Sequence, residues 1–581
     1  MKESSPGEYS ETYNSLDRLS RTMRPLLLTI LPFLSILTPI SAHPSPSVPK
    51  VTIRNGTVRG FHSNVWNQDF FLGIPYAQPP TGKNRFNLPQ PIEKKWNREF
   101  VATAFGDRCL GIGHSFDLPE SEDCLNINVI RPVGCEYHDL PVLVWIHGGG
   151  FLASGSSNPP YNMTFQVDQS VKINKPIIAV SFNYRLSAWG MLGSTAMSAA
   201  GIDNIGLKDQ RMALHWVQEN IAAFGGDPKK VTIAGDSAGG ASVGIHTLAY
   251  GGRDDGLFRA AIMNSGNALY MGKYADMPLL DFLYGQLVDA AGCTGAADTL
   301  TCLRELPTAT IWPAIQAVTD KFPQQWQYHI DGSFIKERGS ISLKRGRFVK
   351  VPLLLGSTTD EGTYLTAYGV NTTEELVYAF KMQTNLNLPD DVIATILKDY
   401  PDNPVVGSPG GTIERFAPPY GLQYKRLSSI AGDMFNIAGR RLSARAWAER
   451  GQDAYSWRFN TIPNGFPREM GATHVSDQAF VFANFLGVGY PGRNYYDVEP
   501  PERKARYIQT GLLMSRAIMS FVHDLTPNNH GMPGYPVWPK YEKDDPKNFV
   551  FDGNTTSYVE PDTFRTGGMN IFIHQAQEFL H

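Results

Sequence analysis

The sequence predicts an α/β fold in which a central, mostly parallel sheet carries helices on both faces. Between about residues 141 and 265, short apolar runs rich in β-branched residues alternate with longer helical patterns. Wholly apolar strands are typical of parallel sheets buried on both faces, since a strand with one solvated face alternates apolar and polar residues. The chain has no internal repeat and no change of composition that would mark a linker. We therefore expect one domain from residue 50 to residue 581.

The predicted elements alternate along the chain. Apolar runs predict strands at 142–146, 177–182, 231–234, 260–263, 351–356 and 455–459. Helical patterns mark residues 207–224 and the small-residue segment that begins at Ala238. The long stretch between the last two strands is rich in helical patterns, and we expect it to form a helical cap. Ligands of open parallel sheets bind beyond the carboxyl ends of the strands, so a functional site is expected at that edge.

Composition places the chain among ordinary globular proteins and excludes one large class of partner. The 581 residues are 42% hydrophobic and 18% charged, with 52 Lys and Arg against 55 Asp and Glu. Nucleic-acid-binding proteins normally show a basic excess or a clustered basic face, and this sequence shows neither. We expect no nucleic-acid partner, and neutral small molecules fit the balanced charge better.

The first 42 residues are predicted to be a signal peptide. Polar residues extend to Arg24, an almost wholly apolar run follows at 25–40, and Ser41 and Ala42 supply the small residues of a cleavage site. Residues 43–49 then form a Pro- and Ser-rich mature N-terminus. The leading polar stretch is long, and a translation start at Met23 would give a signal of ordinary length. An uncleaved anchor is the alternative, but the apolar run is short for a membrane span, so we expect a secreted protein without a stable membrane partner.

Sequons and cysteines also fit an extracellular protein. Four N-x-T sequons offer candidate glycosylation sites, at Asn55, Asn162, Asn371 and Asn554. Among the five cysteines, two pairs lie close enough in sequence to close short loops in an oxidising compartment, Cys109 with Cys124 and Cys293 with Cys302. Cys135 is left over, and we expect an unpaired, partly buried thiol in preference to an interchain disulfide.

A G-x-S-x-G motif at residues 235–239 supplies a candidate nucleophile, Ser237. The motif alone is weak, because it also arises by chance in glycine-rich chains. Here, however, it directly follows the predicted strand at 231–234 and opens a helix, which is the context of a nucleophile elbow. The glycines leave room for a tight turn that exposes the serine hydroxyl. We therefore predict that Ser237 is a catalytic serine.

A serine hydroxyl needs a base that is itself oriented by an acid, and in this kind of fold both follow the serine in the chain. The downstream histidines are His246, His329, His474, His523, His530, His574 and His581. Position favours His474, which lies in a polar loop just before an apolar run. Asp360 and Glu361 both follow the predicted strand at 351–356, where an acid is expected, and chemistry alone does not choose between them.

Three consecutive glycines follow the predicted strand at 142–146, in the segment HGGGF at 147–151. Without side chains, their backbone N–H groups can approach a substrate carbonyl oxygen. Each donor of this kind stabilises the transition state by about 3 kcal/mol. A flexible turn would explain the glycines but not their place at a strand end upstream of the elbow. We therefore predict an oxyanion hole in this segment.

Taken together, these motifs resemble the type-B carboxylesterases, the cholinesterase-like branch of the α/β-hydrolases that includes secreted fungal esterases and lipases. The resemblance runs from about residue 50 over nearly the whole chain. The matching segments are FLGIPYA at 71–77, Arg85-Phe86, EDCLN at 122–126, HGGGF at 147–151, NYRL at 183–186, GLKDQ at 206–210, FGGD at 224–227 and the elbow at 235–239. The resemblance implies an α/β-hydrolase fold and a serine esterase.

The resemblance also implies a role for each matching catalytic position. Ser237 corresponds to the nucleophile, Glu361 to the acid and His474 to the base of a catalytic triad. Such a triad transfers acyl groups without a metal or an organic cofactor, so we expect neither. The expected partner is a small-molecule ester.

Further positions match the family's supporting residues. The backbone N–H groups of Gly149, Gly150 and Ala238 correspond to the oxyanion donors. Ser265, in Asn264-Ser265-Gly266, corresponds to a second serine that supports the histidine and the acid. The two cysteine pairs match the family's local disulfides, Cys109–Cys124 and Cys293–Cys302.

Two departures from the family narrow the expected substrate. The cholinesterases carry a tryptophan for the quaternary ammonium in the first disulfide loop, and the corresponding loop here has only Phe116 among aromatic residues. Choline esters are therefore not expected. Fungal lipases of the family have a loop at this place that serves as a lid, and the loop here is shorter than theirs, too short for that role. We expect hydrolysis of small to medium carboxylic esters, with lipase activity on longer acyl chains as the alternative.

Two other functions remain open on the sequence. The family includes adhesion proteins that keep the fold and lose the serine, but here all three triad positions are filled, which disfavours a non-catalytic binding role. Transfer of the acyl group to an alcohol other than water is a further alternative.

Overall fold

Eleven strands form one mixed sheet at the centre of the molecule. The computed structural model describes residues 48–134, 139–269, 275–323, 326–384 and 388–574. Numbered along the chain, the strands are β1 (Lys50–Ile53), β2 (Gly56–Arg59), β3 (Phe61–Ser63), β4 (Gln68–Pro75), β5 (Phe100–Val101), β6 (Arg108–Cys109), β7 (Glu120–Ser121), β8 (Asn126–Pro132), β9 (Leu140–Ile146), β10 (Ile178–Phe182), β11 (Gly226–Asp236), β12 (Ala260–Asn264), β13 (Leu353–Thr358), β14 (Ala454–Phe459), β15 (Lys547–Phe551) and β16 (Tyr558–Pro561).

The middle of the large sheet is parallel and its margins are antiparallel. In spatial order its strands are β16, β15, β14, β13, β12, β11, β9, β10, β8, β4 and β3. Every neighbouring pair from β10 to β15 is parallel. Strands β3, β4 and β8 on one margin and β16 on the other pair antiparallel with their neighbours. The predicted mostly parallel sheet is confirmed, and the carboxyl ends of its central strands share one edge.

Helices surround this sheet. Numbered along the chain, they are α1 (Thr164–Lys172), α2 (Ser187–Met191), α3 (Thr195–Ala199), α4 (Ile205–Asn220), α5 (Ala238–Gly252), α6 (Met277–Ala290), α7 (Thr299–Glu305), α8 (Thr308–Lys321), α9 (Gly339–Lys344), α10 (Thr373–Thr384), α11 (Asp390–Asp399), α12 (Tyr424–Gly432), α13 (Ala438–Ala448), α14 (Gln478–Val481), α15 (Pro501–Asp524) and α16 (Thr566–His574). Most of the stretch between β13 and β14 is helical, as predicted for the cap.

Two hydrophobic cores lie on opposite faces of the sheet. Along β9, Val142, Val144 and Ile146 belong to one core, and Leu143 and Trp145 belong to the other. Helices α4, α5 and α13 contribute to the first core, and α1 and α15 to the second. Successive side chains of a strand point to opposite faces, so a strand covered on both faces must be apolar throughout. This is why the central strands could be predicted from short apolar runs.

Most predicted elements differ from the observed ones by one or two residues at an end, and two differ by more. The helix predicted at 207–224 ends as an α-helix at Asn220, and a 3-10 turn, Ile221–Phe224, completes it. The strand predicted at 231–234 begins earlier, as β11, because a separate pairing at Gly226 precedes a register shift before Val231. The residues between these two pairings are three charged residues and a proline, and they therefore gave no apolar run.

Both expected disulfides are present, Cys109–Cys124 and Cys293–Cys302. The predicted signal peptide, the possible start at Met23 and the fifth cysteine, Cys135, lie outside the described residues. Residues from Val48 onward form one compact unit. Within the described ranges, no helix combines the length and the apolar character needed to cross a membrane.

Candidate active site

Ser237 lies on a sharp turn between β11 and α5. Its backbone, with φ 52° and ψ −123°, adopts a conformation that is strained for a residue with a side chain. A Cβ atom at Gly235 would lie 2.6 Å from the carbonyl oxygen of Ile146, and one at Gly239 would lie 2.0 Å from the same oxygen. The turn therefore requires both glycines of the motif, and the predicted elbow is present.

A continuous chain of hydrogen bonds joins Ser237, His474 and Glu361. Oγ of Ser237 lies 2.9 Å from Nε2 of His474, and Nδ1 of His474 lies 2.5 Å from Oε2 of Glu361. Because a carboxylate only accepts, Nδ1 donates to Glu361 and Nε2 is free to accept the serine proton. The serine is partly exposed, the histidine is 9% exposed and the glutamate is fully buried. These residues follow β11, β14 and β13, which lie close together in the sheet.

Glu361 is held by three further donors. The backbone N–H of Thr358 and the hydroxyl of Ser265 both donate to Oε1 at 2.7 Å, and Nδ2 of Asn436 donates to Oε2 at 3.1 Å. Ser265 thus contacts Glu361, the residue that the resemblance proposes as the acid. Asn436 was not anticipated from the sequence. It lies in a π-helical turn, Asp433–Ile437, a local irregularity that often occurs at functional sites.

The neighbouring carboxylate, Asp360, has a different environment and bonds to other groups. Its Oδ2 accepts the backbone N–H of Ala472 at 2.9 Å, and its Oδ1 accepts the hydroxyl of Ser408 at 2.6 Å. Asp360 therefore ties the turn after β13 to the loop that carries His474. The structure separates the two carboxylates that chemistry alone left open, since only Glu361 bonds to His474.

The glycine segment lies directly beside the serine. A Cβ atom at Gly148 would come within 3.2 Å of the Cβ of Ser237. Gly149 and Gly150 follow with φ of 103° and 65°, which glycine adopts most readily, and both are exposed. In the described ranges, the backbone N–H groups of Gly149, Gly150 and Ala238 donate to no protein acceptor. They are available to a bound oxygen next to Ser237.

His147 holds the start of this segment. Its ring stacks on Tyr184 with centroids 4.4 Å apart, and Nδ1 lies 2.9 Å from the carbonyl oxygen of Gly148. A carbonyl only accepts, so Nδ1 carries the hydrogen. Burial lowers the pKa of His147 to about 4, and the ring is therefore neutral at ordinary pH. The histidine of HGGGF thus fixes the direction of a peptide group at the entrance to the glycine turn.

The first disulfide loop, 110–123, packs onto the chain that follows the glycines. Ile112 N–H donates to the carbonyl of Leu152 at 2.7 Å, and Ser154 N–H donates to Nδ1 of His114 at 2.9 Å. Burial lowers the pKa of His114 to about 4, so its ring is neutral and able to accept. One main-chain hydrogen bond and one bond to the His114 ring therefore anchor this loop beside the candidate site.

One predicted glycosylation site does not fit the folded structure. Asn55 is only 6% exposed, and its Nδ2 donates to the carbonyl oxygens of Ile92 at 2.8 Å and Lys94 at 3.2 Å. A glycan on Nδ2 would replace one of the two hydrogens that make these bonds, and the burial of Asn55 leaves it no room. The other three sequon residues are partly or fully exposed, namely Asn162, Asn371 and Asn554.

The sheet topology, the serine elbow and the hydrogen-bonded chain behind it define an α/β-hydrolase with the constellation of a serine ester hydrolase. Comparison of the sequence with protein families supports the same class. The Carboxylesterase family matches residues 47–564, and the chain belongs to that family. It is a hydrolase of carboxylic ester bonds, as the sequence predicted.

Curated relatives and solved structures cover nearly the whole chain. Lipase 4 of Diutina rugosa is 33% identical over 94% of this chain and 99% of that lipase. Secreted lipase 1 of Botryotinia fuckeliana is 33% identical over 85% of this chain and 88% of its own length. The crystal structure of Aspergillus niger EstA superposes with a TM-score of 0.78 at 27% identity, covering 92% of this chain and 99% of EstA.

Proposed function

We propose that Ser237, His474 and Glu361 hydrolyse carboxylic esters by two-step acyl transfer. The Ser237 hydroxyl attacks the ester carbonyl carbon while His474 accepts its proton, and the alcohol leaves with that proton. Water, activated by His474, then attacks the acyl-enzyme and releases the acid. The hydrogen-bond chain from Ser237 through His474 to Glu361 is the observation that carries this proposal.

The negative charge of each tetrahedral intermediate falls on the former carbonyl oxygen. We assign its stabilisation to the backbone N–H groups of Gly149, Gly150 and Ala238. Their lack of protein acceptors and the contact of Gly148 with Ser237 support this assignment. Donors fixed in advance stabilise the transition state by about 3 kcal/mol each, because they do not have to reorganise as charge develops.

Activity should fall on acidification, and the midpoint of this fall should lie at a higher pH than the pKa of an ordinary histidine. Burial lowers the pKa of His474, but the charge and hydrogen bond of Glu361 outweigh it and raise the pKa above the ordinary 6.5. Only the neutral ring can accept the serine proton, so a raised pKa extends the inactive, protonated range upward. The kcat/KM for p-nitrophenyl butyrate, measured from about pH 5 to about pH 9, tests this. An acid limb with its midpoint below about pH 6 would contradict it.

Small to medium, soluble esters fit the site best. A lipase lid must move away from the active site to admit lipid. Here the first disulfide loop is bonded to the segment after the glycines, by its main chain at Leu152 and by the His114 ring at Ser154. This anchoring supports an esterase whose site is open to dissolved substrate.

A lipase is the second candidate, and specific observations favour it. The relatives named above are called lipases. In addition, Tyr364 and Tyr368 are 65% and 50% exposed, and the Tyr364 ring stacks beside His474 with centroids 6.1 Å apart. Exposed aromatic rings beside a site can contact an acyl chain or a lipid surface.

A panel of esters separates the two candidates. For an esterase we expect kcat/KM for p-nitrophenyl butyrate to exceed that for p-nitrophenyl palmitate by about tenfold or more. The rate on tributyrin should saturate below its solubility limit. A rate that instead rises steeply once tributyrin forms droplets would identify a lipase.

We also propose that the mature protein is secreted after cleavage following Ala42. The names of two relatives, secreted lipase 1 of Botryotinia fuckeliana and secreted triacylglycerol lipase LIP1 of Gibberella zeae, support this location. A non-catalytic binding role is not favoured, since serine, histidine and acid are all present.

A further inference from the structure

A third buried carboxylate of the site, Asp236, lies directly before Ser237 at the end of β11. It is 4% exposed, and the hydrogen-bond partners of its carboxylate in the described part of the chain are neutral: the Gly148 N–H, the Tyr161 hydroxyl and the Gln478 amide. An unpaired buried carboxylate is costly unless neutral donors surround it. Burial raises the pKa of Asp236 to about 6, while hydrogen bonds from Gln478 and Tyr161 act in the opposite direction.

The two oxygens of Asp236 bind different parts of the site. Oδ1 accepts the backbone N–H of Gly148 at 3.1 Å, directly before the proposed oxyanion donors. Oδ2 accepts Nε2 of Gln478 at 3.0 Å, and Gln478 lies four residues after His474. The Tyr161 hydroxyl lies 3.2 Å from Oδ1 and 3.3 Å from Oδ2. One side chain thus joins the glycine segment to the loop of the base.

The far end of this network is also fixed. Oε1 of Gln478 accepts the hydroxyl of Tyr490 at 2.9 Å, which orients the amide so that Nε2 faces Asp236. The residue before Tyr490 packs against the segment that carries Tyr161, since a Cβ at Gly489 would lie 2.4 Å from Pro160. The Gln478 amide therefore has one orientation that satisfies both of its neighbours.

We propose that Asp236 is a positioning residue that holds the oxyanion segment and the histidine loop in register with Ser237. This inference rests on the proposed roles of Ser237 and His474. In this role Asp236 does not contact the substrate. Its effect is geometric, because an error of about 1 Å in a catalytic group can lower the rate by about 100-fold.

Exchanging the two polar partners tests the link between the segments. Gln478→Glu sets two carboxylates against each other and should lower kcat for p-nitrophenyl butyrate about 10- to 100-fold, with KM changed less than about threefold. Asp236→Asn alone should be milder, because Gln478 can turn its amide and still bond to both neighbours. In the combined variant the new amide at 236 can accept from Gly148 and donate to the new carboxylate at 478. We expect kcat of the combined variant to exceed that of Gln478→Glu by at least about fivefold.

Gln218→Glu is the matched control for loss of a glutamine amide. In the wild type, Nε2 of Gln218 donates to the carbonyls of Pro228 and Leu257. Pro228 lies near the amino end of β11, at the edge of the sheet opposite Ser237. This variant should lose thermal stability and keep the wild-type kcat. If Gln478→Glu does not fold, Gln478→Met removes the same hydrogen bonds without the charge and should still lower kcat about fivefold.

The outcomes distinguish this inference from the proposed function. If Gln478→Glu keeps the wild-type kcat, or if the combined variant is as slow as Gln478→Glu while both remain folded, the positioning role is wrong. If wild type and Ser237→Ala are equally inert to p-nitrophenyl butyrate, the proposed function itself fails.

Discussion

Ser237→Ala is expected to lower kcat/KM for p-nitrophenyl butyrate by about 10⁵-fold or more. The variant removes the atom that forms the acyl-enzyme, and the bond from Oγ to Nε2 of His474 at 2.9 Å disappears with it. The oxyanion donors remain, so a small residual activity over uncatalysed hydrolysis should persist. Stopped assays with purified wild type and variant at matched concentration measure the loss.

A serine at a different place controls for the loss of a hydroxyl. Ser443 is fully buried in α13, where its Oγ donates to the carbonyl of Gly439 at 2.8 Å. Ser443→Ala should keep kcat/KM within about twofold, since a helix back-bond contributes little to stability. A fluorophosphonate probe should label wild type and Ser443→Ala but not Ser237→Ala. Retention of more than about 1% of activity by Ser237→Ala would mean that another group is the nucleophile.

Glu361→Gln should lower kcat about 10⁴-fold. Four donors point at the Glu361 carboxylate, from His474, Ser265, Thr358 and Asn436. An amide has one acceptor oxygen, so its NH2 group must face a donor. If it faces the ring, Nδ1 must accept and the ring hydrogen moves to Nε2. A ring in that tautomer cannot take the serine proton.

The pH profile and a second variant separate this effect from loss of folding. Glu361 is the main cause that raises the pKa of His474, so the acid limb of kcat/KM should move to lower pH in Glu361→Gln. Glu361→Asp keeps the charge but moves it away from the ring by the length of one methylene group. Its kcat should exceed that of Glu361→Gln by about tenfold or more. A Gln variant within about tenfold of wild type would show that Glu361 is not the orienting acid.

The local sequence was sufficient to predict the elbow. The turn at Ser237 depends on residues that are adjacent in the chain, and Gly235 and Gly239 are needed because any Cβ there would collide with the Ile146 carbonyl. The central strands were predictable for a similar reason. A strand buried on both faces needs an apolar residue at every position, and this requirement is visible without knowledge of its neighbours. The family resemblance then proposed Glu361 as the acid and His474 as the base.

Residues by themselves did not identify the base among the downstream histidines, because that choice depends on contacts distant in sequence. His246 and His329 are buried and bonded to Gln210 and Asp203, and thus serve the core. His474 reaches Ser237 across 237 residues of chain. Only the order of the strands brings the ends of β11, β13 and β14 together.

What the sequence determined, therefore, is a strained serine turn, a glycine segment at a strand end and a family of ester hydrolases. The tertiary structure decided which polar groups support that chemistry. It placed Asn436 against Glu361 and Asp236 between the glycine segment and the histidine loop, and it buried Asn55 against two carbonyls. Turn geometry and strand burial act on neighbouring residues, whereas a hydrogen bond between side chains forms only where the folded chain brings distant residues together.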